Sequence, residues 1–394
     1  MLLSFLLFAC LDTSVSRYFI QLTPEHAEAT YEIKDLASDF DLEILHEFDS
    51  FEKGFSSDIP KYLVGQIEGL NSVEQVYLDE EKPYIPLPVE SFSTYGEDEI
   101  QPNLRSIRIP NTVSSSLSNI HVAVLDTGID SQHHDLRVFA EMDVVGLSTG
   151  VFAGGTDPGG HGTHVAGIIG ARVNDVDIAG VAPGVALHSV RVLNAAGKGY
   201  FSDIMAGLNY VYKNPNIRIV NLSLNTTLVD NLRPLQNALR ALEEAGVVVV
   251  MSAGNNNDDT KNYAPSAYDH GIIVSAYDIT EQNGELQFNG FYSQSNFGPE
   301  VDIAAPGVAI TSTIPYDRSI EDAETTDTET GTSQAAPHVT GAVALLLNEH
   351  PDLSAYQVRD YIIATGTIGY EGWSETGRHS EPFLNIERLL DTVQ

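Results

Sequence analysis

Cysteine is nearly absent from this chain of 394 residues, in which Cys10 is the single example. One thiol forms no disulfide within the chain, so any reinforcement of the fold beyond ordinary packing must come from a bound metal. The apolar start around Cys10 is typical of a secretion signal, although no Lys or Arg precedes it. We expect residues 1–16 to be a signal peptide and the mature protein to be secreted. The alternative is a lipoprotein signal, with a lipid anchor on Cys10 that holds the protein at the cell surface or in the periplasm.

Positive charge is also scarce. Lys and Arg together number 20 against 55 Asp and Glu, which gives a formal net charge of −35. Nucleic acids and anionic membrane surfaces attract basic proteins, so the charge argues against both as partners. Beyond the start of the chain, no apolar run approaches the ~18 residues that span a bilayer. We therefore expect no nucleic-acid partner and no transmembrane span, and we take a monomer as the expected state.

Residues 17–81 have the pattern of a small domain. The predicted elements are a strand, a helix, a second helix and a closing strand, at 18–22, 24–40, 60–70 and 73–78. This order predicts an α+β domain of the ferredoxin-like type. The next segment, 82–100, is rich in proline and then acidic, which is the composition of an exposed, cleavable linker.

From residue 101 to 394, apolar strands alternate with helices. The predicted strands are 120–125, 185–193, 217–224, 247–252 and 271–276, and the helices between them are 162–171, 202–212 and 232–245. Continuous apolar strands of this kind are buried on both faces. The pattern predicts an α/β fold with a doubly wound, mainly parallel β-sheet and helices on both faces.

Ser333 follows Gly331-Thr332 and immediately precedes an apolar helix expected over 335–347. A helix N-terminus has free backbone N–H groups and the positive end of the helix dipole. This environment suits a nucleophile whose product carries negative charge. The alternative interpretation is a helix N-cap, which is the commoner use of Thr and Ser before a helix.

Asp126 ends the strand predicted at 120–125 and begins the sequence Asp126-Thr127-Gly128. The C-terminal ends of parallel strands are where open α/β sheets bind ligands, although a simple turn aspartate is the alternative. Asp-Thr-Gly is also the motif of aspartic proteases. That chemistry requires a second such carboxylate, and the sequence contains no second motif of this kind.

His161 lies between glycines and the start of another apolar helix. We expect the imidazole to stay neutral at such a helix start, as a general base must. A capping or core histidine is one alternative. A zinc pair with His164 is another, but the segment lacks the Glu of His-Glu-x-x-His and offers no clear third ligand.

The three residues occur in the chain order Asp126, His161, Ser333. This order is that of subtilisin, and it differs from those of the α/β-hydrolases and the double β-barrel proteases. With the motifs at 124–129, 161–167 and 331–338, the chain from about 101 to 394 resembles the subtilisin-family serine proteases. Residues 17–81 resemble, more loosely, the inhibitory propeptide of that family.

The resemblance implies a role for each motif residue. Ser333 would attack the scissile carbonyl, His161 would transfer the proton and Asp126 would orient the imidazole. Asn255 would donate to the oxyanion together with the Ser333 N–H. The expected protein is an endopeptidase made as a self-processing zymogen and inhibited by its own propeptide. The alternative is an inactive pseudoprotease or binding scaffold. A missing triad or oxyanion residue would favour that alternative, and the sequence has all of them.

The resemblance also implies where a polypeptide substrate would bind, as an added β-strand. One edge of the binding cleft would be formed by Ser223, Leu224 and Asn225, and the other by Gly197, Lys198 and Gly199. One wall of the main specificity pocket would be formed by Ser252, Ala253 and Gly254. Asn225 replaces the usual glycine, and Gln334 replaces the usual methionine. An acidic insertion precedes Ser333, with Glu321, Asp322, Glu324, Asp327 and Glu329. It is either a solvated loop or a feature that favours basic substrates.

A structural calcium site is the one cofactor that the resemblance implies. Its ligands would be the carboxylate of Asp135 and oxygens of a loop, namely Arg172, Asn174, Val176 and Ile178. Side-chain and backbone oxygens suit a hard cation. The alternative is that the aspartates of this loop merely cover a surface turn. No cofactor is expected for catalysis.

Overall fold

A computed structural model of the protein describes residues 12–24, 30–85, 101–110, 117–145, 156–228, 233–320, 323–369 and 378–393. Cys10, most of the predicted signal segment and most of the predicted linker lie outside these residues. The first strand begins at Val15, so the end of the predicted signal segment already belongs to the folded N-terminal unit.

The N-terminal unit contains β1 (Val15–Leu22), α1 (Thr30–Asp39), β2 (His46–Phe48), β3 (Gly54–Pro60), α2 (Lys61–Glu68) and β4 (Val73–Leu78). Its four strands form one sheet in the order β2-β3-β1-β4. The central strand β1 pairs antiparallel with both β3 and β4. This split arrangement confirms the ferredoxin-like α+β fold.

The remaining elements are β5 (Lys82–Pro83), α3 (Pro102–Ser106), β6 (His121–Asp126), β7 (Val138–Asp143), α4 (His161–Gly170), β8 (Ala186–Arg191), β9 (Lys198–Gly199), α5 (Phe201–Lys213), β10 (Ile217–Leu222), β11 (Thr226–Thr227), α6 (Arg233–Glu244), β12 (Val248–Ser252), β13 (Tyr263–Ala264), β14 (Ile272–Gln282), β15 (Glu285–Phe291), β16 (Ile303–Pro306), β17 (Ile310–Thr313), β18 (Thr326–Glu329), α7 (Thr332–Glu349), α8 (Ala355–Thr365) and α9 (Ile386–Thr392). Among the described residues, none of the helices is both long and apolar enough to span a membrane.

The main sheet has the strand order β15-β14-β12-β10-β6-β8-β7, and β16 also pairs with β14. Its pairings are parallel except that of β14 with β15. The chain enters at the central strand β6, builds the β8 side and then returns to build the β10 side. The carboxyl ends of β6, β10 and β12 therefore meet at the point where the strand order reverses, which is where open α/β sheets place their sites.

Both faces of this sheet are covered, as the continuous apolar strands predict. In β6, Val122 and Val124 join one apolar cluster, whereas Ala123 and Leu125 join the other. Helices α4 and α7 pack into the first cluster, and α5 and α6 pack into the second. Burial of each such Val or Leu side chain stabilises the fold by about 1.5–3 kcal/mol.

Three strands of the main sheet are not predicted by the sequence pattern, namely β7, β15 and β16. In β15, exposed and half-buried residues alternate along a peripheral strand, so it lacks the apolar run of a buried strand. A local signal was available, because β14 and β15 are joined through Asn283-Gly284, with φ of 56° and 82°. Asn-Gly with two positive φ angles is the preferred two-residue hairpin turn.

Candidate active site

Ser333 lies in the first turn of α7. Gly331, which has no side chain to cap the helix, is the N-cap, so the N-cap interpretation of Ser333 is wrong. Pro337 in the same helix has no N–H, and the Ser333 carbonyl four residues earlier therefore receives no helical hydrogen bond. The Ser223 hydroxyl donates to that carbonyl instead, at 2.8 Å. The proline thus lets the loop after β10 fix the backbone of Ser333.

A buried side-chain network supports this contact. Asn221, which is fully buried, donates from Nδ2 to Ser223 Oγ at 2.9 Å. Thr340 Oγ1 donates to Asn221 Oδ1 at 2.8 Å. The network joins β10 to α7. Sequence reasoning did not single out Thr340, because its partner lies 119 positions away along the chain.

Asp126 and His161 form a buried hydrogen-bonded pair. Asp126 ends β6 and His161 begins α4. The imidazole Nδ1 lies 2.9 Å from Asp126 Oδ1 and 3.0 Å from Oδ2. A Cβ added at Gly162 would overlap the Gly128 carbonyl oxygen and approach Asp126 Cβ at 3.1 Å. Glycine after the histidine is therefore what allows the start of α4 to approach β6 so closely.

The protonation of His161 differs from the expectation. Burial alone lowers the pKa of His161, but the charge of Asp126 and its hydrogen bond outweigh burial and raise the pKa to about 9. This raised pKa runs against the expectation of a neutral imidazole. At pH 7 the imidazolium is the favoured form, because the adjacent carboxylate stabilises it more than burial disfavours it.

Asp157 is a buried carboxylate that sequence reasoning missed. Its Oδ1 accepts from Thr127 Oγ1 at 2.7 Å and from the N–H groups of Gly159 and Gly160 at 3.1 and 2.9 Å. Its Oδ2 accepts from Thr163 N and Oγ1 at 2.8 and 2.7 Å. Burial nevertheless raises the pKa of Asp157. These bonds hold the turn after β6 against the start of α4, so Asp157 positions His161. Its signal in the sequence was an aspartate shortly before a helix start.

The Ser333 hydroxyl has a hydrogen-bond acceptor in the loop after β10. Ser333 Oγ donates to the Ser223 carbonyl at 3.2 Å. Ser333 and His161 line the same cavity, yet within the described part of the chain no hydrogen bond joins Ser333 Oγ to the imidazole.

Asn255 faces the same cavity as Ser333 and His161. Its Oδ1 accepts from Thr332 N at 2.9 Å and from Thr332 Oγ1 at 3.0 Å. These two bonds fix which way the amide points, and they leave Nδ2 as the donor for a ligand oxygen. Thr332 is a second positioning residue that sequence reasoning did not identify.

The segment after β4 lies along one side of this cavity. Strand β5 pairs antiparallel with β9. Tyr84 then donates its N–H to the Gly197 carbonyl at 2.9 Å and accepts the Asn225 N–H at 2.9 Å. The Tyr84 ring lies in an apolar cavity that Leu224 also lines. Gly197 has φ of 65°, and a Cβ there would meet Ile85 Cβ at 2.9 Å. Both predicted edges thus hold one extended strand, and the start of the predicted linker is a strand.

The three residues of the predicted pocket wall lie in two different environments. Ser252 and Gly254 line a cavity with Asn225, whereas Ala253 packs into the apolar core. The Asn225 side chain folds onto this wall, because its Nδ2 donates to the Ser252 carbonyl at 3.1 Å. The amide occupies space at the wall that a glycine would leave open.

Two of the predicted calcium ligands, Arg172 and Ile178, are hydrogen-bonded to Asp135. Asp135 is fully buried, its Oδ2 accepts from Ile178 N at 3.4 Å, and its carbonyl accepts from Arg172 N at 2.9 Å. Within the loop, Val176 N donates to Asn174 Oδ1 at 3.1 Å. The candidate donors are one carboxylate, one side-chain amide and three backbone carbonyls. An all-oxygen set of this kind fits Ca²⁺ and lacks the nitrogen and sulfur ligands that zinc prefers.

A second cluster lies beside this loop. The ligand atoms of His133, His134 and Asp177 are within 4.8 Å of one another. His134 Nε2 contacts Asp177 Oδ2 at 2.7 Å. Both nitrogens of His133 already have partners, since Nδ1 accepts the Asp135 N–H at 3.2 Å and Nε2 lies 3.2 Å from the Thr325 carbonyl. We interpret the cluster as a set of structural hydrogen bonds and not as a metal site.

The acidic insertion is in part a strand. Glu321 and Asp322 lie outside the described residues, and Glu324 and Asp327 are exposed. β18 pairs antiparallel with β17, with Glu329 opposite Ile310. Glu329 alone of the three described acidic residues lines the cavity of Ser333. The description of the insertion as one solvated loop is therefore incorrect.

Known proteins match the part of the chain that contains this site. A model of the subtilase family matches residues 118–379. Subtilisin DY of Bacillus licheniformis is 36% identical over 254 residues, which cover 64% of this chain and 84% of that protein. Alkaline elastase YaB of Bacillus sp. (strain YaB) is 32% identical over 337 residues, which cover 86% of this chain and 80% of that protein.

Two solved structures are also similar. Fervidolysin from Fervidobacterium pennivorans, a keratinolytic enzyme related to subtilisin, superposes with a TM-score of 0.72 and 24% identity, covering 96% of this chain. This likeness concerns the fold, and the chain spans 61% of the length of that protein. A cold-adapted subtilisin-like serine proteinase superposes with a TM-score of 0.57 and 28% identity, covering 70% of this chain and 92% of that one.

Proposed function

Because this chain belongs to the subtilase family of serine peptidases, we propose that it is a secreted endopeptidase acting through Asp126, His161 and Ser333. The observation that carries the proposal is the buried Asp126–His161 pair at 2.9 Å, in a cavity that Ser333 and Asn255 also line. The substrate is a polypeptide, and the reaction is hydrolysis of a peptide bond through an acyl-enzyme.

The reaction begins when Ser333 Oγ leaves the Ser223 carbonyl and donates to the neutral imidazole. As Oγ bonds to the scissile carbonyl carbon, His161 takes the hydroxyl proton and Asp126 stabilises the imidazolium. Asn255 Nδ2 and the Ser333 N–H donate to the oxyanion. His161 then returns the proton to the leaving amine as the C–N bond breaks, and water repeats the sequence on the acyl-enzyme.

The substrate adds as a β-strand between β9 and Asn225. The support is the strand that already lies there, with Tyr84 bonded to Gly197 on one side and to Asn225 on the other, each at 2.9 Å. Backbone hydrogen bonds of this kind are independent of sequence, so side-chain pockets set the specificity.

The unit before residue 82 acts as an inhibitory propeptide, and the chain cuts itself between about 83 and 99, mostly outside the described residues. Two contacts support inhibition by docking. The Asp79 carboxylate accepts the Phe201 N–H at the start of α5 at 2.8 Å, and His46 Nε2 lies 2.8 Å from Asp203 Oδ1. A carboxylate at a helix N-terminus is stabilising.

Calcium is the structural cofactor of this proposal. Asp135, Asn174 and the backbone carbonyls of Arg172, Val176 and Ile178 would hold the ion. It would brace the loop between α4 and β8 without entering the chemistry.

The first prediction concerns self-processing. The purified full chain shortens with time and reacts with a fluorophosphonate, because Ser333 is nucleophilic. Ser333→Ala leaves the precursor full length and lowers kcat by about 10⁶-fold, the size of the effect when the nucleophile of a related triad is removed. The measurements are electrophoresis, active-site labelling and mass spectrometry of the mature N-terminus, and mass spectrometry of the uncleaved Ser333→Ala precursor reports any lipid on Cys10. If the wild-type chain stays full length and rejects the probe, the pseudoprotease or scaffold alternative holds.

A further inference from the structure

The cleft contains a carboxylate that the hydrolytic mechanism does not use. Glu329 ends β18 and lines the cavity with His161, Ser333 and Gln334. Its side chain is 14% exposed, so it is reachable but largely desolvated. Charges in such a position interact more strongly with a ligand than fully exposed ones.

Glu329 is held in place but not neutralised. Its Oε2 accepts from Gln334 Nε2 at 2.7 Å, which explains why a glutamine rather than an apolar residue can follow Ser333. Within the described residues its ion-pair contact is His164, at 4.0 Å. Burial lowers the pKa of His164 below its usual value, so this imidazole is neutral at pH 7. The Glu329 charge also helps to raise the pKa of His161, but His161 is neutral in the form of the enzyme that reacts. In that form the negative charge of Glu329 is available to a cation in the cleft.

The geometry also tells which part of a substrate meets Glu329. The chain from Lys82 to Ile85 enters along β9 and Asn225 and reaches the cavity of Ser333. That side holds the residues before the scissile bond. The residues after it must continue past Ser333 into the cavity that His161, Gln334 and Glu329 line.

We propose that Glu329 is a specificity-determining residue that selects a Lys or Arg side chain just after the scissile bond. This inference rests on the endopeptidase activity proposed above. The sequence suggested that the acidic insertion as a whole could favour basic substrates. The proposal assigns this effect to Glu329 alone, because Glu324 and Asp327 are exposed and do not line this cavity. The chemistry is a charge-assisted contact between the free carboxylate oxygen and an ammonium or guanidinium group.

The test compares fluorogenic peptides that differ only in the residue after the scissile bond, Lys, Gln or Glu. The enzyme is the self-processed full chain, with active sites titrated by a fluorophosphonate. We expect kcat/KM for the Lys peptide to exceed that for the Glu peptide by about tenfold, because attraction of one charge and repulsion of the other add. Glu329→Gln should reduce this ratio to about twofold or less, and Glu329→Lys should invert it.

The matched control is Glu324→Gln, which removes the same charge from the same insertion outside the cavity. It should keep the wild-type ratio. Equal loss of preference in both variants would show that the field of the whole insertion acts, and an unchanged ratio in Glu329→Gln would show that Glu329 merely holds Gln334. Either result overturns the proposal. Failure to cleave any peptide or to react with the probe would instead overturn the proposed function.

Discussion

At the scale of single residues, two opposing effects set the state of His161. Burial favours the neutral ring, whereas the Asp126 carboxylate 2.9 Å away favours the imidazolium. The carboxylate dominates, and the pKa rises to about 9. The Asp126 side chain that orients the imidazole therefore also keeps it protonated in the free enzyme at neutral pH.

This balance predicts an alkaline pH profile. The general base must be neutral, and a group with a raised pKa keeps its proton to higher pH. We expect kcat/KM for an uncharged peptide to rise about tenfold per pH unit below about pH 9 and to level above it, because kcat/KM reports the free enzyme. Measurement of initial rates across pH tests this, with enzyme stability checked at each pH. A profile already flat from about pH 6 to 8 would contradict it.

The residues of the site differ in how far the sequence predicts them. Asp126, His161, Ser333 and Asn255 stand in recognisable local motifs. Asp157 lies outside these motifs, and Thr332 lies in the Ser333 motif without an assigned role. Both hold other residues through bonds that exist only after folding. Glu329 was identified as one charge of a run, but only the pairing of β18 with β17 separates it from its neighbours.

At the scale of elements, α7 tolerates a proline because its neighbour compensates. The carbonyl that Pro337 leaves without a helical partner accepts the Ser223 hydroxyl, and Asn221 and Thr340 complete the network. The cost of an interior proline is thus offset at the point where α7 must contact β10.

This network gives a stability prediction. Thr340→Val removes the hydroxyl that donates to Asn221 Oδ1 and leaves a buried oxygen without that bond. We expect a loss of about 1–3 kcal/mol in the free energy of unfolding and a lower kcat, since Ser223 contacts Ser333. Thr340→Ser keeps the hydroxyl and serves as the control. Urea unfolding of the mature enzyme measures both variants, and equal stability of the two would show that the hydrogen bond does not matter.

The elements that the sequence predicts well are those buried on both faces. Strands β6, β10 and β12 match their predictions within two residues, because their apolar runs are continuous. The described helix α1 lies inside its predicted span. Strands β7 and β15 were missed, because half-exposed edge strands have no strong periodicity. Their positions depend on the neighbours with which they pair.

At the scale of the whole molecule, the N-terminal unit and the main sheet share an apolar core. Phe19 of β1 lies 5.7 Å from Phe201 of α5, edge to face, and both belong to the cluster that covers one face of the main sheet. With His46 and Asp79 bonded to α5, the unit is docked on the surface that leads to the cleft.

Calcium removal should destabilise the whole main unit. An ion that binds only the folded state, present at about 100 times its Kd, contributes about 2.7 kcal/mol, which corresponds to about 5–10 °C in Tm. We expect chelation to lower Tm of the mature enzyme by this amount, and excess Ca²⁺ to restore it. Asp135→Asn should have the lower Tm with or without chelator. If chelation leaves the wild-type Tm unchanged, the calcium site is refuted.

Under the zymogen mechanism proposed above, the pairing of β5 with β9 would make inhibition depend on the covalent connection between the two units. While 82–85 is tethered to the same chain, its effective concentration at the cleft is on the order of millimolar, and dilution of the protein does not change it. Once the linker is cut, the same strand becomes a separate molecule whose occupancy depends on how much of it is nearby. Release into a large external volume would then by itself unblock the cleft, so dilution would act as the trigger for activity.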